Sequence, residues 1–133
     1  MDIDQQSLQY ANEMYHQLGG KTFKLMTGAL VHPLVNIEVG NGRKSLVSLF
    51  IALPSNTPQD FIFNKNKINV VFMHLMGDDT YTFEFTKKGD EKPFKTIQNV
   101  YCDEVQDIFE LNTGLLVTPH NRKNSQVVVG VNA

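Results

Sequence analysis

NKINVVFMHLMGDDTYTFEF, residues Asn66 to Phe85, decides the fold, because it reads as two long strands joined by a tight turn. From Ile68 to Met76 apolar side chains occupy both alternating sets, whereas Tyr81, Phe83 and Phe85 alternate with Thr80, Thr82, Glu84 and Thr86. A strand apolar on both sides therefore lies beside one with a polar face, and a sheet stands at the centre of the protein. Gly77, Asp78 and Asp79 supply the turn, where aspartate side chains bond nearby amides.

On the N-terminal side, Leu8, Ala11, Met14, Tyr15 and Leu18 fall three or four apart and make one apolar stripe. The spacing predicts a helix that starts near Asp2 or Asp4 and stops at Gly19-Gly20, which supply the positive φ of a helix C-terminus. Lys21 to Ala29 alternates Phe23 and Leu25 with Lys24 and Met26 and predicts a short strand. Val35 to Val39 and Ser45 to Leu53 flank Gly40-Asn41-Gly42-Arg43 and read as a hairpin. Pro54 to Pro58 is a loop on composition, and Phe61-Ile62-Phe63 within the same connection is too apolar to be left in water.

After the central hairpin, Lys87 to Lys92 is a solvated turn and Phe94 to Val100 adds a strand. Tyr101, Val105, Ile108 and Phe109 then form a second helical stripe, with Asp103 and Gln106 spaced as a capping box and Gly114 as its stop. Thr118 to Gln126 is polar, but Val127, Val128, Val129 and Val131 are apolar and β-prone. Such a tail frays, adds a strand to its own sheet, or associates with a second copy. The expected fold is α+β: an N-terminal helix, a mainly antiparallel sheet of about five strands, and a C-terminal helix on one face. One domain spans residues 1–117, and residues 118–133 are a flexible link and apolar tail.

Three segments, LGGKTFKLMTGA (Leu18 to Ala29), NKINVVFMHLMGDDTYTFEF and VYCDEVQDIFELNTGL (Val100 to Leu115), carry a resemblance. Together they resemble a family of small bacteriophage and mobile-element proteins that share GG-x-x-F-x-x-MTGA, DTY-x-x-x-F and VY-x-D-x-x-x-x-x-F-x-x-x-TGL segments. The match covers a little over a third of the chain, in the family's order. It implies a compact helix, sheet, helix protein of a phage or integrated element and transfers no catalytic residue. The chain departs from the pattern between His32 and Phe63 and again after Leu116.

The totals narrow the function classes. With 133 residues and 41% hydrophobic content, one ordinary domain would bury about two-thirds of its unfolded surface. Twelve basic against fourteen acidic residues leave a net charge of -2, so nucleic-acid binding requires a local patch. The single cysteine, Cys102, excludes an intrachain disulfide and a cysteine-based zinc site and suits a reducing compartment. No secretory signal or membrane span is read, and the expected location is the host-cell cytoplasm.

Candidate chemistry is sparse. Cys102, before the second helix, is placed for a lowered thiol pKa, but His16, His32, His74 and His120 form no local motif with it. A small hydrolase or transferase built on Cys102 or His74 is the third-ranked reading. The histidines lack metal-ligand spacing, Gly77-Asp78-Asp79 lacks the alternating oxygens of a calcium loop, and Gly19-Gly20-Lys21-Thr22 lacks the upstream glycine of a phosphate loop. No catalytic residue, metal or cofactor is expected. Lys65, Lys67, Lys87 and Lys88 form either a nucleic-acid edge or a solubilising sheet edge. If Val71, Met73 and Leu75 face the helices, then Val70, Phe72 and His74 face away, with Phe50 beside them. That second face is either a partner-binding or self-association surface, joined in the latter case by Val127, Val128 and Val129, or is covered by the extra hairpin and the tail. The leading expectation is a non-enzymatic accessory protein of a phage or mobile element that binds a host or phage protein, with inhibition of a host system as one form of that activity. The alternative is a single-stranded nucleic-acid binder.

Overall fold

Asp4 starts the first helix: its Oδ1 accepts the N–H of Ser7 at 2.7 Å, and α1 runs from Gln5 to Leu18. The structure, a computed structural model, describes residues 3–40, 42–54 and 67–117. The expected strand at Lys21 to Ala29 is instead a second helix, α2, at Gly20–Thr27. Phe23 and Thr27, one turn apart, are both buried, whereas Leu25 is 79% exposed. The period is helical, and the alternation of Phe23 with Leu25 was a coincidence of composition.

The third helix, α3, spans Val105–Thr113 behind a short 3-10 turn at Cys102–Glu104. Its stripe is as expected at Val105, Ile108 and Phe109, while Tyr101 is 59% exposed. The capping residues differ from those expected. Glu104 accepts the N–H of Tyr101 at 2.9 Å, and Gln106 reaches across to the carbonyl of Gln17 at 3.0 Å, which ties α3 to α1. Both α2 and α3 end by one device. Thr27 and Thr113 donate their hydroxyls to the carbonyls of Phe23 and Phe109 and accept the N–H of Ala29 and Leu115. Between each pair stands a left-handed glycine, Gly28 at φ 72° and Gly114 at φ 79°. The Thr-Gly steps in MTGA and NTGL are therefore helix stops.

Five strands follow in simple order, each antiparallel to the next: β1 Leu30–Val35, β2 Val47–Ala52, β3 Ile68–Leu75, β4 Tyr81–Lys87 and β5 Lys95–Val100. The first hairpin strand lies five residues earlier than Val35 to Val39, and Pro33 is tolerated in it because β1 is an edge. Residues 36–40 and 42–46 belong to a strap between β1 and β2. Its two arms are joined by Val39 N–H to Arg43 O at 2.7 Å and Ser45 N–H to Ile37 O at 2.9 Å.

Val47, Leu49, Ile51, Val71, Met73, Phe83 and Phe85 point to one side and meet Ala11, Met14, Leu18, Phe23 and Phe109 in the core. Phe23 and Phe109 pack edge to face with centroids 5.1 Å apart. The expected α+β class, the five-stranded antiparallel sheet and the two terminal helices on one face are what the structure contains. Phe61 to Phe63, Lys65 and the tail with Val127, Val128 and Val129 lie outside the described residues. Among the described residues, no helix is long and apolar enough to cross a membrane.

Candidate functional site

The face of the sheet opposite the helices is divided in two. At one end the strap folds over β2, β3 and β4: Val39 and Ser45 are buried, and a Cβ on Gly40 would stand 3.7 Å from Glu84 Oε2. Beneath it runs a line of polar side chains. Ser45 Oγ lies 2.7 Å from Ser48 Oγ, Ser48 Oγ lies 2.6 Å from His74 Nδ1, and His74 Nε2 lies 2.8 Å from Glu84 Oε1. The backbone N–H of Ile37 donates to Ser45 Oγ at 3.2 Å.

The register brings these groups together. Ser48 is directly across from His74 on neighbouring strands, and Glu84 is diagonal to it on β4, two residues from the Thr82 that His74 faces. With an ionised Glu84, which only accepts, Nε2 carries a proton. For the neutral ring, Nδ1 then accepts from the Ser48 hydroxyl, which in turn accepts from Ser45. Every polar atom in the line is satisfied, as a buried network requires.

A hydroxyl, an imidazole and a carboxylate in this order resemble a nucleophilic triad. Access decides against that use. Ser48 and His74 have no exposed surface, and Glu84 has 9%. Nothing described opens from Ser48 to solvent, so the line acts as a clamp between strap and sheet.

At the other end the face is apolar and half-buried. Phe50, Val70 and Phe72 stand there with Ala52, and Leu30 on β1 is 68% exposed. The rings of Phe50 and Phe72 are 5.4 Å apart, and Phe72 lies parallel to His74 at 5.5 Å. Of the four residues expected to present this face, Val70, Phe72 and Phe50 do so. His74 does not, because both of its nitrogens are bonded in the interior and it offers a partner no surface. The strap covers the clamp end of the face, so the alternative that the extra hairpin folds back onto the sheet holds for that end.

The lysine edge is partly assembled. Lys87 pairs with Ile68, and Lys88 N–H donates to the carbonyl of Lys67 at 3.3 Å, so Lys67, Lys87 and Lys88 converge at one corner. Lys87 Nζ sits 4.0 Å over the ring of Phe94, which is 45% exposed. That ring is thereby engaged by a cation and less free to stack on a base.

Cys102 is exposed and lines a cleft of about 390 Å³ with Tyr10, Glu13, Gln17, Leu46, Leu75, Asp79, Tyr81 and Tyr101. Among the described residues no histidine lines it, so none of His16, His32 and His74 partners the thiol there. Burial pushes the Tyr81 phenol above its ordinary value, against a hydrogen bond from Gln17 that lowers it. Asp78, in the adjoining turn, is held below the usual carboxylate range by bonds from the Thr80 hydroxyl and amide, with a smaller pull from Arg43 at 3.9 Å. Among the described residues no three histidine, cysteine, aspartate or glutamate side chains stand close enough to hold a metal ion.

Comparison with protein-family models, with curated proteins and with solved structures finds no match to this chain.

Proposed function

We propose that this chain is a non-enzymatic accessory protein of a phage or mobile element, acting in the host-cell cytoplasm by binding another protein and in that way inhibiting a host system. The observation that carries the reading is the aromatic pair Phe50 and Phe72, half-buried on a sheet face that the helices leave alone. Aromatic side chains supply large contact area at low entropic cost, and apolar surface of this kind marks protein contact sites. The phage setting follows from the three-segment resemblance. The test is a photo-crosslinking amino acid placed at position 72 and, as a control, at Leu25, on the helical side. Specific adducts from position 72 alone, lost when Phe50→Glu is added, are expected. Equal adduct formation from both positions would remove this face as the contact.

The convergence of Lys67, Lys87 and Lys88 favours one other reading, a single-stranded nucleic-acid binder. It predicts affinity for an oligonucleotide that falls steeply with salt and vanishes when the three lysines are neutralised.

A further inference from the structure

The cleft around Cys102 has an acidic and aromatic lining. Its walls carry three tyrosines, Tyr10, Tyr81 and Tyr101, and two carboxylates, Glu13 on α1 and Asp79 in the turn between β3 and β4, and among the described residues no lysine, arginine or histidine lines it. Both carboxylates are exposed, and neither has an ion-pair partner among the described residues. Burial is the main cause that raises the Tyr81 pKa, and Cys102, Asp79 and Glu13 add smaller pushes in the same direction, in keeping with their shared place around that phenol. A separate observation lies in the same wall: the Gln17 side chain bonds the Tyr81 phenol, but its Oε1 is buried and accepts no hydrogen bond among the described residues. A buried acceptor left unpaired costs free energy until a donor reaches it.

We propose that this cleft receives an arginine side chain presented by a protein partner. A guanidinium meets each requirement. It is planar and stacks on tyrosine faces, it is always charged, and its fork of five donors can serve a carboxylate and a neighbouring amide oxygen together. The methylene stem would lie against Leu46, 50% exposed, and Tyr101, 59% exposed, at the mouth. Those two exposed side chains frame the cleft with the aromatic and apolar surface of a protein contact. The inference rests on the protein-binding reading for the source of the arginine, and on the cleft alone for its chemistry.

Cys102 provides the test, since it is the only cysteine in the chain and stands in the cleft wall. The full-length protein is alkylated with iodoacetamide, a neutral reagent, in the presence of N-acetylarginine amide or its uncharged isostere N-acetylcitrulline amide. The arginine probe slows alkylation about threefold at a concentration twice its dissociation constant, by occupancy alone. Citrulline amide leaves the rate unchanged, and added salt weakens the protection. Glu13→Gln with Asp79→Asn abolishes it. Both changes are near-isosteric on exposed side chains, and Asn tolerates the φ of 69° at position 79, so the variant folds. Equal rates with both probes, or protection that survives the double variant, would overturn the cation site. Protection in a protein whose position 72 yields no specific adduct would retain the cleft and remove the sheet-face contact, so the two proposals fail separately.

Discussion

Replacing His74 with Phe measures how firmly the clamp ties strap to sheet. The ring is fully buried, and phenylalanine fills nearly the same volume and preserves the stack on Phe72, so no cavity term enters. Two hydrogen bonds are lost. The one to Ser48 is of the ordinary kind, worth about 1 kcal/mol, and the one to Glu84 involves a charged acceptor, worth about 1.5–3 kcal/mol. The Glu84 side chain keeps 11% of its surface in water, which places the second figure toward its lower end. The expected loss is about 3 kcal/mol. Urea denaturation reads it as a midpoint lowered by roughly 1–2 M at unchanged slope. Glu84→Leu added to His74→Phe should recover at least half, because the stranded carboxylate is then gone. A loss below about 1 kcal/mol, or a double variant no better than the single, would refute the reasoning and reduce the line to loosely held surface groups.

Two further outcomes follow from the core and the cleft. Phe109→Ala removes a fully buried ring packed edge to face on Phe23 and should cost about 3–5 kcal/mol by thermal or urea unfolding, with α3 the first element to lose amide protection. Tyr81, raised by burial above the ordinary 10.0, ionises later in the folded chain than in the unfolded one. Its contribution to stability is therefore present below about pH 10 and is lost as pH rises through the folded value, so Tyr81→Phe should be less sensitive to alkali than the parent, and tyrosinate absorbance of the parent should show one late component.

The sheet was legible because its signal is local. Residues 66–85 contain both strands and their turn, and the alternation of Tyr81, Phe83 and Phe85 fixes which face each side chain takes. The two end helices were legible for the same reason, since Met14 and Leu18, or Val105 and Phe109, repeat at helical spacing. The helix α2 was not, because eight residues with two buried side chains give a periodicity too short to separate from alternation. What distinguishes it is at its end: Thr27-Gly28 repeats the Thr-Gly stop that closes α3, and that identity was present in the sequence.

The clamp was not legible as a unit, because its members stand 26 and 10 residues apart and only the strand register joins them. The clue was nevertheless available: once β2 and β3 are paired, Ser48 falls opposite His74, and two polar groups facing each other on an otherwise apolar surface must be bonded to each other or exposed. Reading His74 as part of an apolar contact face overlooked that requirement. Its actual place gives the face its asymmetry. Phe72 lies parallel to an imidazole held at both nitrogens, so the orientation of the outer ring is set by the inner one, and Phe72 in turn orients Phe50. A side chain braced in this way loses little rotamer freedom when a partner covers it, which lowers the entropic cost of association. The buried polar line thus braces the rings of the apolar face through the stack of His74 on Phe72.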